Sequence, residues 1–457
     1  MRILIGVKDF GKIKKAEIDV SNFTIFVGNN NSGKSYIMQL IYGLLQKLPK
    51  FELPVEDYEI TENLELEWGR EWFQNYERKV NVYLSENKEK IVESIFHRPI
   101  CIGKLYLKIV DIDEEIKIKF SEWKELILIE NYAEKNEDYT KEFSNRIVEI
   151  ELLKSTTKEL LNSYSIRYMS DIDDEYVKFY AEQVSVRLIL DLFKAGEELL
   201  FLPASRTGML LLYKYFFSEK DKGLVVKTSQ NTEEDYRNEL GLSAPVYDFL
   251  QFLLRYTSNN RVMEHNKKLI DFIEKYLING SLRQQGEETI YIPENTDKHI
   301  PLYLSSSMVN ELTPMIKALT GAINYSYFLY DEIETCLHPE KQGAMARFLV
   351  RLNNSGKRLI VSTHSDTMAS KINNLLLLSF SDETEEEKKE KLEKLNLTEE
   401  DLLKSKDIHV YQFSNQSDGT SVVNELEFRR VPYTGYDFSQ FMDSTQNLYH
   451  ESVTIMG

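Results

Sequence analysis

A glycine-rich octet near the N-terminus has the residue types and spacing of a phosphate-binding loop. Its residues are Gly28, Asn29, Asn30, Asn31, Ser32, Gly33, Lys34 and Ser35. Glycines let backbone N–H groups face a phosphate, the lysine can reach the outer phosphates, and the following serine hydroxyl can ligate Mg²⁺. An ordinary Gly/Asn turn is the alternative. The apolar strand before the octet and the amphipathic helix after it favour the phosphate-binding loop.

Two adjacent carboxylates follow an apolar strand in the C-terminal half of the chain. Asp331 and Glu332 come directly after the residues Tyr327 to Tyr330. A carboxylate at a strand end can hold a Mg²⁺ shell, and its neighbour can polarise the water that attacks a γ-phosphate. We therefore predict Asp331 as a metal ligand and Glu332 as a catalytic residue. A strand followed by a solvated acidic turn is the alternative.

A histidine occupies the end of the next apolar strand. His364 follows the residues Arg358 to Thr363, of which Leu359 to Val361 are aliphatic. A neutral imidazole in such a place can hydrogen-bond a γ-phosphate and report its presence. We predict His364 as a second catalytic residue, with a structural cap of the strand as the alternative.

Three consecutive serines open a predicted helix upstream of the two carboxylates. Ser305, Ser306 and Ser307 precede an apolar helical pattern from Met308 to Leu319. Serine hydroxyls and the first N–H groups of a helix together form an anion site. Ser306 and Ser307 are therefore candidate phosphate-binding residues, and a plain N-cap is the alternative.

Strands and helices in alternation must bring these residues together. The strand Phe23–Val27 leads into the octet, and the helix Ser35–Gln46 follows it. The C-terminal part then gives the strand Ile323–Tyr330, the helix Pro339–Leu352 and the strand Arg358–Ser362. Alternation of this kind predicts an α/β fold with a mainly parallel sheet.

The length of 457 residues exceeds that of one compact domain, so we expect a core with large insertions. The segments we predict are 1–50, the N-terminal part of the core with the octet; 51–195, an inserted and mainly helical arm; 196–207, a return to the core; 208–280, a second helical insertion; and 281–457, the C-terminal part of the core. Within the arm, Leu105–Phe120 alternates like a hairpin that turns at Asp113 and Glu114.

Composition excludes several classes of protein. Lys and Arg total 56 against 74 Asp and Glu, and the resulting net charge of −18 disfavours a general nucleic-acid coating protein. Cys101 and Cys336 are too few for a disulfide framework and lack zinc-site spacing. No apolar stretch approaches the ~20 residues that span a bilayer. We expect a cytoplasmic protein with no membrane partner.

The order of these motifs resembles the ATPases of the RecF, SMC and OLD (overcoming lysogenization defect) group. Asp331 to Glu334, followed by Leu337 to Glu340, is similar to the family's DEPE-x-x-LHP string, and Pro203 to Arg206 is similar to its PAxR segment. Two positions differ. Ile333 replaces the usual proline, and the serine-rich signature is Ser-Ser-Ser rather than Ser-Gly-Gly.

The resemblance implies a fold, cofactors and an assembly. The fold would be an ABC-type P-loop NTPase head, with a mainly parallel sheet, an antiparallel β subdomain and large helical insertions. The cofactors would be ATP and Mg²⁺, and the reaction would be hydrolysis of ATP to ADP and phosphate. Ser306 and Ser307 would bind the γ-phosphate of the nucleotide held by a second copy, which implies a homodimer or higher homo-oligomer.

The chain shows no Toprim nuclease motif of the kind fused to many OLD proteins. Asp111–Asp113 and Asp171–Asp173 have the doublet spacing but no glycine-associated glutamate strand before them. The resemblance is therefore to stand-alone OLD-like ATPases that control a separate effector nuclease or toxin in bacterial anti-phage defence.

Two alternatives stay open for the biological role. One is a RecF-like DNA-repair ATPase that clamps DNA, for which the basic residues near the N-terminal hairpin could form a local patch, although solvated faces explain them as well. Those residues are Lys8, Lys12, Lys14 and Lys15, and Arg429 and Arg430 near the C-terminus could join the same patch. The other alternative is a nucleotide-switched assembly scaffold with little hydrolysis.

Overall fold

The computed structural model describes most of the chain. The described residues are 2–48, 65–112, 116–126, 144–154, 182, 185–186, 189, 198–214, 241–286, 288–429, 435–438 and 450–455. The chain divides into two units. The smaller contains Met1–Ile3, Leu48–Tyr83 and Leu107–Gly196, and the larger contains Leu4–Lys47, Leu84–Tyr106 and Glu197–Gly457. The segment predicted as an arm, 51–195, thus includes residues 84–106 of the larger unit.

The strands are numbered in chain order. They are β1 (Arg2–Phe10), β2 (Ile13–Asp19), β3 (Phe23–Gly28), β4 (Glu65–Trp68), β5 (Lys104–Val110), β6 (Ile116–Leu126), β7 (Ser144–Lys154), β8 (Leu199–Leu202), β9 (Gly280–Gln285), β10 (Glu288–Pro293), β11 (Ile300–Pro301), β12 (Tyr327–Tyr330), β13 (Arg358–Thr363), β14 (Ile408–Asn415) and β15 (Ser421–Leu426).

The helices are numbered in the same way. They are α1 (Lys34–Lys47), α2 (Arg70–Phe96), α3 (Ala244–Leu254), α4 (Asn260–His265), α5 (Lys267–Phe272), α6 (Ser307–Thr320), α7 (Pro339–Asn354), α8 (Asp366–Ser379) and α9 (Glu385–Lys394). Residues 206–214 are also helical. A π-helical stretch covers Ile273–Ile278, and short 3₁₀ helices cover Leu302–Leu304 and Glu399–Asp401.

A nine-stranded sheet runs through the described part of the larger unit. Its order is β5-β1-β2-β15-β14-β3-β13-β12-β8. The strands from β14 to β8 are parallel to one another, whereas β1 pairs with β2 and β14 pairs with β15 in antiparallel fashion. This arrangement confirms the predicted α/β class, with a mainly parallel sheet and additional antiparallel strands.

The register of the parallel strands aligns their C-terminal ends. Val27 of β3 is opposite Thr363 of β13, and Tyr330 of β12 is opposite both Val361 and Leu202. Each strand is buried and apolar, as expected for parallel strands covered on both faces. The residues that follow β3, β12, β13 and β8 therefore emerge at one edge of the sheet.

Helix α6 is deeply embedded in the larger unit. Every residue from Val309 to Thr320 is buried. The same core contains apolar residues of α7 and α8, such as Leu349 and Ile372, together with the central strands. Burial on all sides makes α6 a rigid element rather than an amphipathic surface helix.

The smaller unit contains strands as well as helix in its described residues. Strands β4, β6 and β7 form a three-stranded antiparallel sheet. The predicted hairpin Leu105–Phe120 is wrong, because β5 and β6 belong to different sheets. Its expected turn at Asp113 and Glu114 lies outside the described residues. Alternating polarity identified the two strands but not their partners.

The predicted second insertion, 208–280, is mainly helical where it is described, with α3, α4, α5 and the π-helical stretch. After it, β9, β10 and β11 form a three-stranded antiparallel sheet, in which β10 pairs with both of the other strands. None of the described helices has the length and apolarity required to cross a bilayer.

Candidate functional site

The glycine-rich octet forms the predicted loop between a strand and a helix. β3 ends at Gly28, and α1 begins at Lys34. Gly28, Asn31 and Gly33 have positive φ values of 133°, 54° and 99°. A Cβ atom at Gly28 would clash with the carbonyl oxygen of Phe413, and one at Gly33 would lie 2.7 Å from Cδ1 of Ile13. Only glycine therefore fits the two ends of this loop.

The lysine of the octet lies inside the curve of the loop. Its Nζ donates hydrogen bonds to the carbonyl oxygens of Gly28 and Asn29, at 2.9 and 2.8 Å. The Ser32 hydroxyl donates to the Asn29 carbonyl oxygen at 2.7 Å. These bonds hold a cation at the N-terminus of α1, where the helix dipole also favours an anion.

The outer side of the loop is supported by residues of the neighbouring strand β14 and of the turn between β1 and β2. Asn415, at the end of β14, donates from Nδ2 to the Asn30 carbonyl oxygen at 3.2 Å. Its Oδ1 accepts from Lys12 Nζ at 2.8 Å, and Lys12 also contacts the Asn31 carbonyl oxygen. The loop is thus held from outside as well as from within.

The two predicted carboxylates follow β12 at the same edge. Asp331 is buried, and its Oδ1 accepts a hydrogen bond from the Ser362 hydroxyl of β13. The Glu332 N–H donates to the same Ser362 oxygen at 2.8 Å. Glu332 has a φ of +47°, a left-handed conformation that is uncommon outside glycine, asparagine and aspartate. Backbone strain of this kind is frequent at functional sites.

His364 pairs with a carboxylate to which the sequence analysis gave no role. Its Nδ1 lies 2.9 Å from Oε1 of Glu334, and its backbone N–H donates to that oxygen at 2.7 Å. The Glu334 carboxylate beside the ring raises the pKa of His364, and burial only partly offsets this. Burial alone would raise the pKa of Glu334, but hydrogen bonds from His364 and Thr363 outweigh it and lower that pKa. Both shifts favour the charged forms of the pair, and the neutral ring expected from the sequence stays a prediction.

The predicted residues act on one another electrostatically. Burial lowers the pKa of Lys34, and the negative charges of Asp331, Glu334 and Glu332 oppose this shift. Glu332 and Lys34 also act on His364 in opposite directions. One cluster therefore contains the loop lysine, the strand-end carboxylates and the histidine.

A buried arginine ties the carboxylate turn to α6. Arg206 has no exposed surface, and its Nη1 donates to the Asp331 carbonyl oxygen at 2.5 Å. Its Nη2 donates to the Glu332 carbonyl oxygen at 3.0 Å and lies 2.7 Å from Oε1 of Glu311. The guanidinium also stacks over the Tyr330 ring at 4.5 Å. In the sequence, Arg206 stands out only as part of the PAxR-like segment, and its spacing indicates no partner.

The serine segment has the geometry of a helix start. Ser306 is the N-cap of α6, and its hydroxyl accepts from the Val309 N–H at 3.4 Å. Ser306 and Ser307 are both exposed, whereas the Ser305 hydroxyl donates to the Leu302 carbonyl oxygen. The N-cap alternative is thus realised at Ser306. Phosphate binding by Ser306 and Ser307 stays a prediction, and their exposure is compatible with it.

The donor atoms at this edge fit a Mg²⁺ ion that is shared with phosphate. Mg²⁺ in such sites takes one or two protein oxygens together with phosphate oxygens and water. The Ser35 hydroxyl and the oriented Asp331 carboxylate are donors of this type. Among the described residues, no cluster of three or more His, Cys, Asp or Glu side chains could hold a metal ion by itself.

Comparisons with known proteins place the chain in a family. The family model for the AAA ATPase domain matches residues 1–200 and 212–369, and the chain belongs to this family. No curated protein matches the chain significantly.

Two solved structures are similar to this chain, with low sequence identity and low TM-scores. One is the SMC head domain with an extended coiled coil, bound to the C-terminal domain of ScpA, from Pyrococcus furiosus. It has 13% identity and a TM-score of 0.35, and the match covers 98% of each chain. Another is the SMC head domain from Thermotoga maritima, with 13% identity, a TM-score of 0.31, and coverage of 93% of this chain and 100% of that one. TM-scores this low do not define a shared fold, so the family assignment depends on the family model alone.

Proposed function

We propose that this chain is an ABC-type ATPase that dimerises around ATP and Mg²⁺ and hydrolyses ATP to ADP and phosphate. The observation that carries the proposal is the convergence of the phosphate loop, two strand-end carboxylates and a histidine paired with Glu334 at one edge of the sheet. Charges on Asp331, Glu332 and Glu334 act directly on Lys34, as expected where a nucleotide with its metal bridges the two sides.

Each residue has a defined task in this mechanism. Lys34 and the N–H groups of the loop bind the outer phosphates, and Ser35 with Asp331 would hold Mg²⁺, which neutralises charge on the phosphate oxygens. Glu332 orients the attacking water and accepts its proton. Glu334 raises the pKa of His364 and so favours its protonated form, in which the ring would donate a hydrogen bond to the γ-phosphate and stabilise the negative charge that develops there.

Dimerisation would complete the site. Ser306 and Ser307 are exposed at the N-terminus of α6, where hydroxyls and N–H groups can receive the γ-phosphate of a nucleotide held by a second copy. Two heads would then enclose two ATP molecules, and hydrolysis would separate them. The dimer is thus the ATP-bound state and the monomer is the state after hydrolysis.

The proposal is tested by measuring the mass of the protein with and without ATP by light scattering, together with phosphate release. We expect ATP to produce dimers in the wild type, Glu332→Gln to accumulate them without phosphate release, and Lys34→Ala to remain monomeric. Nucleotide-independent mass in all three proteins would refute the dimer. Phosphate release that persists in Glu332→Gln would refute the assigned role of Glu332.

For the biological role, we propose that the ATP-bound dimer controls a separate effector protein in anti-phage defence. The proposal is supported by the resemblance to stand-alone OLD-like ATPases. The test is copurification of products of neighbouring genes with ATP-bound Glu332→Gln, combined with phage plating on a deletion strain. Failure to recover an effector together with unchanged phage sensitivity would end this proposal.

Stimulation of ATP hydrolysis by duplex DNA would favour a DNA-clamping role over the role in defence. Among the basic residues of the N-terminal hairpin, Lys12 holds the phosphate loop and Lys14 pairs with Asp418 at 2.7 Å. A DNA-clamping ATPase should show phosphate release that duplex DNA stimulates, with binding that weakens steeply as salt increases. An assembly scaffold should show ATP-dependent mass without appreciable phosphate release.

A further inference from the structure

The strongest unassigned feature of the larger unit is a buried ion pair between Arg206 and Glu311. The side chains are 0% and 2% exposed, and Nη2 lies 2.7 Å from Oε1. Arg206 follows the end of β8, whereas Glu311 lies in α6, 105 positions further along the chain. The pair therefore joins two elements that are far apart in the sequence.

The guanidinium also binds the backbone of the carboxylate turn. Its Nη1 donates to the carbonyl oxygens of Pro203 at 2.7 Å and of Asp331 at 2.5 Å, and its Nη2 donates to that of Glu332 at 3.0 Å. Only arginine has a planar set of donors that can serve several acceptors in fixed directions. The positions of the two carbonyl groups that follow β12 thus depend on Arg206.

Glu311 connects α6 to this guanidinium. The helix is buried from Val309 to Thr320, and its first turn carries Ser306 and Ser307. The other carboxylate oxygen of Glu311 accepts from the Thr207 backbone N–H at 3.0 Å and from the Thr207 hydroxyl. A shift of α6 at its serine end must therefore displace Glu311 and, with it, the segment of Arg206 and Thr207.

The catalytic carboxylate is sensitive to such a displacement. Glu332 has a φ of +47°, and its N–H donates to the Ser362 hydroxyl. Its carbonyl oxygen accepts from Arg206 Nη2 at 3.0 Å and from the Thr335 N–H at 3.1 Å, and the Thr335 hydroxyl also donates to its carboxylate at 3.4 Å. A residue in a strained conformation keeps it only while its surroundings enforce it. Arg206 is the restraint among these that connects Glu332 to α6, so its displacement would shift the Glu332 carbonyl group and the side chain attached to that residue.

We infer that Arg206 and Glu311 form a relay through which contact of Ser306 and Ser307 with a nucleotide on a second copy sets the position of Glu332. The relay rests on the proposed function, because it requires ATP to be enclosed between two copies. Arg206 and Glu311 are positioning residues in this scheme, since both side chains are buried and Arg206 acts through the backbone of Asp331 and Glu332. Hydrolysis then occurs only in heads whose α6 is engaged.

A purely structural ion pair is the competing explanation, and the choice of variants separates the two. Removal of one partner leaves an uncompensated buried charge and destabilises the fold, whereas replacement of both by apolar side chains is often neutral. The informative variant is therefore Arg206→Met with Glu311→Leu. Glu311→Gln is a second variant, which keeps the shape of the side chain without its charge. Arg351→Lys is the matched control, because Arg351 pairs with the buried Asp401 away from the site.

The experiment measures kcat, the Kd for ATP and the midpoint of thermal unfolding for each variant. For the double variant and for Glu311→Gln, we expect kcat to fall about 10- to 100-fold with the Kd for ATP within about threefold of wild type, since misplacement of a catalytic group affects the rate more than ground-state binding. Arg351→Lys should leave kcat unchanged. Wild-type kcat in the double variant or in Glu311→Gln, each assayed at a temperature at which it is folded, would refute the relay whatever its unfolding midpoint.

A second measurement tests whether the effect of Ser306 on kcat depends on the Arg206–Glu311 pair. Ser306→Ala is made in the wild type and in the double variant, and the two reductions in kcat are compared. A relay predicts that the substitution lowers kcat in the wild type but has little further effect in the double variant, because coupled residues are not additive. Equal fold-reductions in both backgrounds would overturn the relay. Failure of the proposed function itself looks different, because the wild type would then show neither ATP-dependent mass nor phosphate release.

Discussion

The phosphate loop and the serine end of α6 differ in how completely one chain builds them. The loop is fixed by three positive φ values, by Lys34 bonded to its carbonyl oxygens, and by Asn415 on its outer side. The serine end has one hydroxyl acting as an N-cap and two residues exposed to solvent. The first region is complete before any second copy arrives, whereas the second acquires its proposed ligand only from another molecule.

The largest expected effect tests whether the shape of the loop is essential. Gly28→Ala would place a Cβ atom against the Phe413 carbonyl oxygen at a φ of +133°. We expect ATP to bind about 100-fold more weakly, for a cost of roughly 3 kcal/mol. Gly356→Ala is the matched control, because Gly356 has a φ of +87° but no atom within 4 Å of the added Cβ. A wild-type Kd for ATP in Gly28→Ala, measured by calorimetry, would show that the shape of the loop is not essential.

The next effect separates the cap of α6 from its proposed ligand. Ser306→Asp and Ser306→Asn both preserve a good N-cap, but aspartate adds a negative charge where a γ-phosphate would bind. We expect ATP-dependent dimers, measured by light scattering, to be lost in Ser306→Asp and retained in Ser306→Asn. Both variants should bind ATP as the wild type does, because the phosphate loop lies elsewhere in the same chain. If both variants formed ATP-dependent dimers, the nucleotide of the second copy would not bind at the N-terminus of α6.

A pH series tests the charged state of the histidine beside the loop. The raised pKa of His364 stabilises the fold fully below its ordinary value of 6.5, and this contribution is lost as pH rises through the folded-state pKa. The lowered pKa of Glu334 stabilises the fold above 4.5 and is lost as pH falls through the folded-state value. The pair therefore contributes most between these two pH values.

The measurement for this pair is the midpoint of thermal unfolding from pH 4 to pH 9 for the wild type and Glu334→Gln. We expect the two curves to differ most between about pH 4.5 and 6.5 and to approach each other as the pH rises through the folded-state pKa of His364 or falls through that of Glu334. Parallel curves would show that the His364 contact does not depend on charge.

The smallest expected effect concerns the outer support of the loop. Asn415→Ala removes the hydrogen bonds to Asn30 and Lys12, which we expect to weaken ATP binding about fivefold, or by about 1 kcal/mol. Asn424→Ala, an exposed residue of the neighbouring strand β15, serves as the control. The loop would be self-supporting if both variants had the wild-type Kd for ATP.

Local features of this chain could be predicted from its sequence. The octet, the strand before it and the helix after it are consecutive, so their spacing alone indicates the arrangement that the structure has. The polar residues after β12 and β13 were placed at one edge because parallel strands in alternation with helices align their ends. The roles of these residues stay predictions until nucleotide binding is measured.

Contacts between distant segments could not be predicted in the same way. Arg206 meets Glu311, and Glu334 meets His364, only because the fold brings separate elements together. Neither pair has a spacing that identifies it, because charged residues are frequent throughout the chain. The wrong hairpin has the same origin. An alternating pattern defines which face of β5 or β6 is buried, but the partner of a strand depends on the whole sheet.

The left-handed backbone of Glu332 also bears on how this sequence could change. A non-glycine residue in that conformation costs about 1 to 3 kcal/mol relative to a relaxed one. Selection for thermal stability alone would therefore favour glycine or asparagine at position 332. Glutamate at this position therefore costs folding stability at the one carboxylate proposed to accept a proton, and a substitution that relieved the strain would also remove that carboxylate.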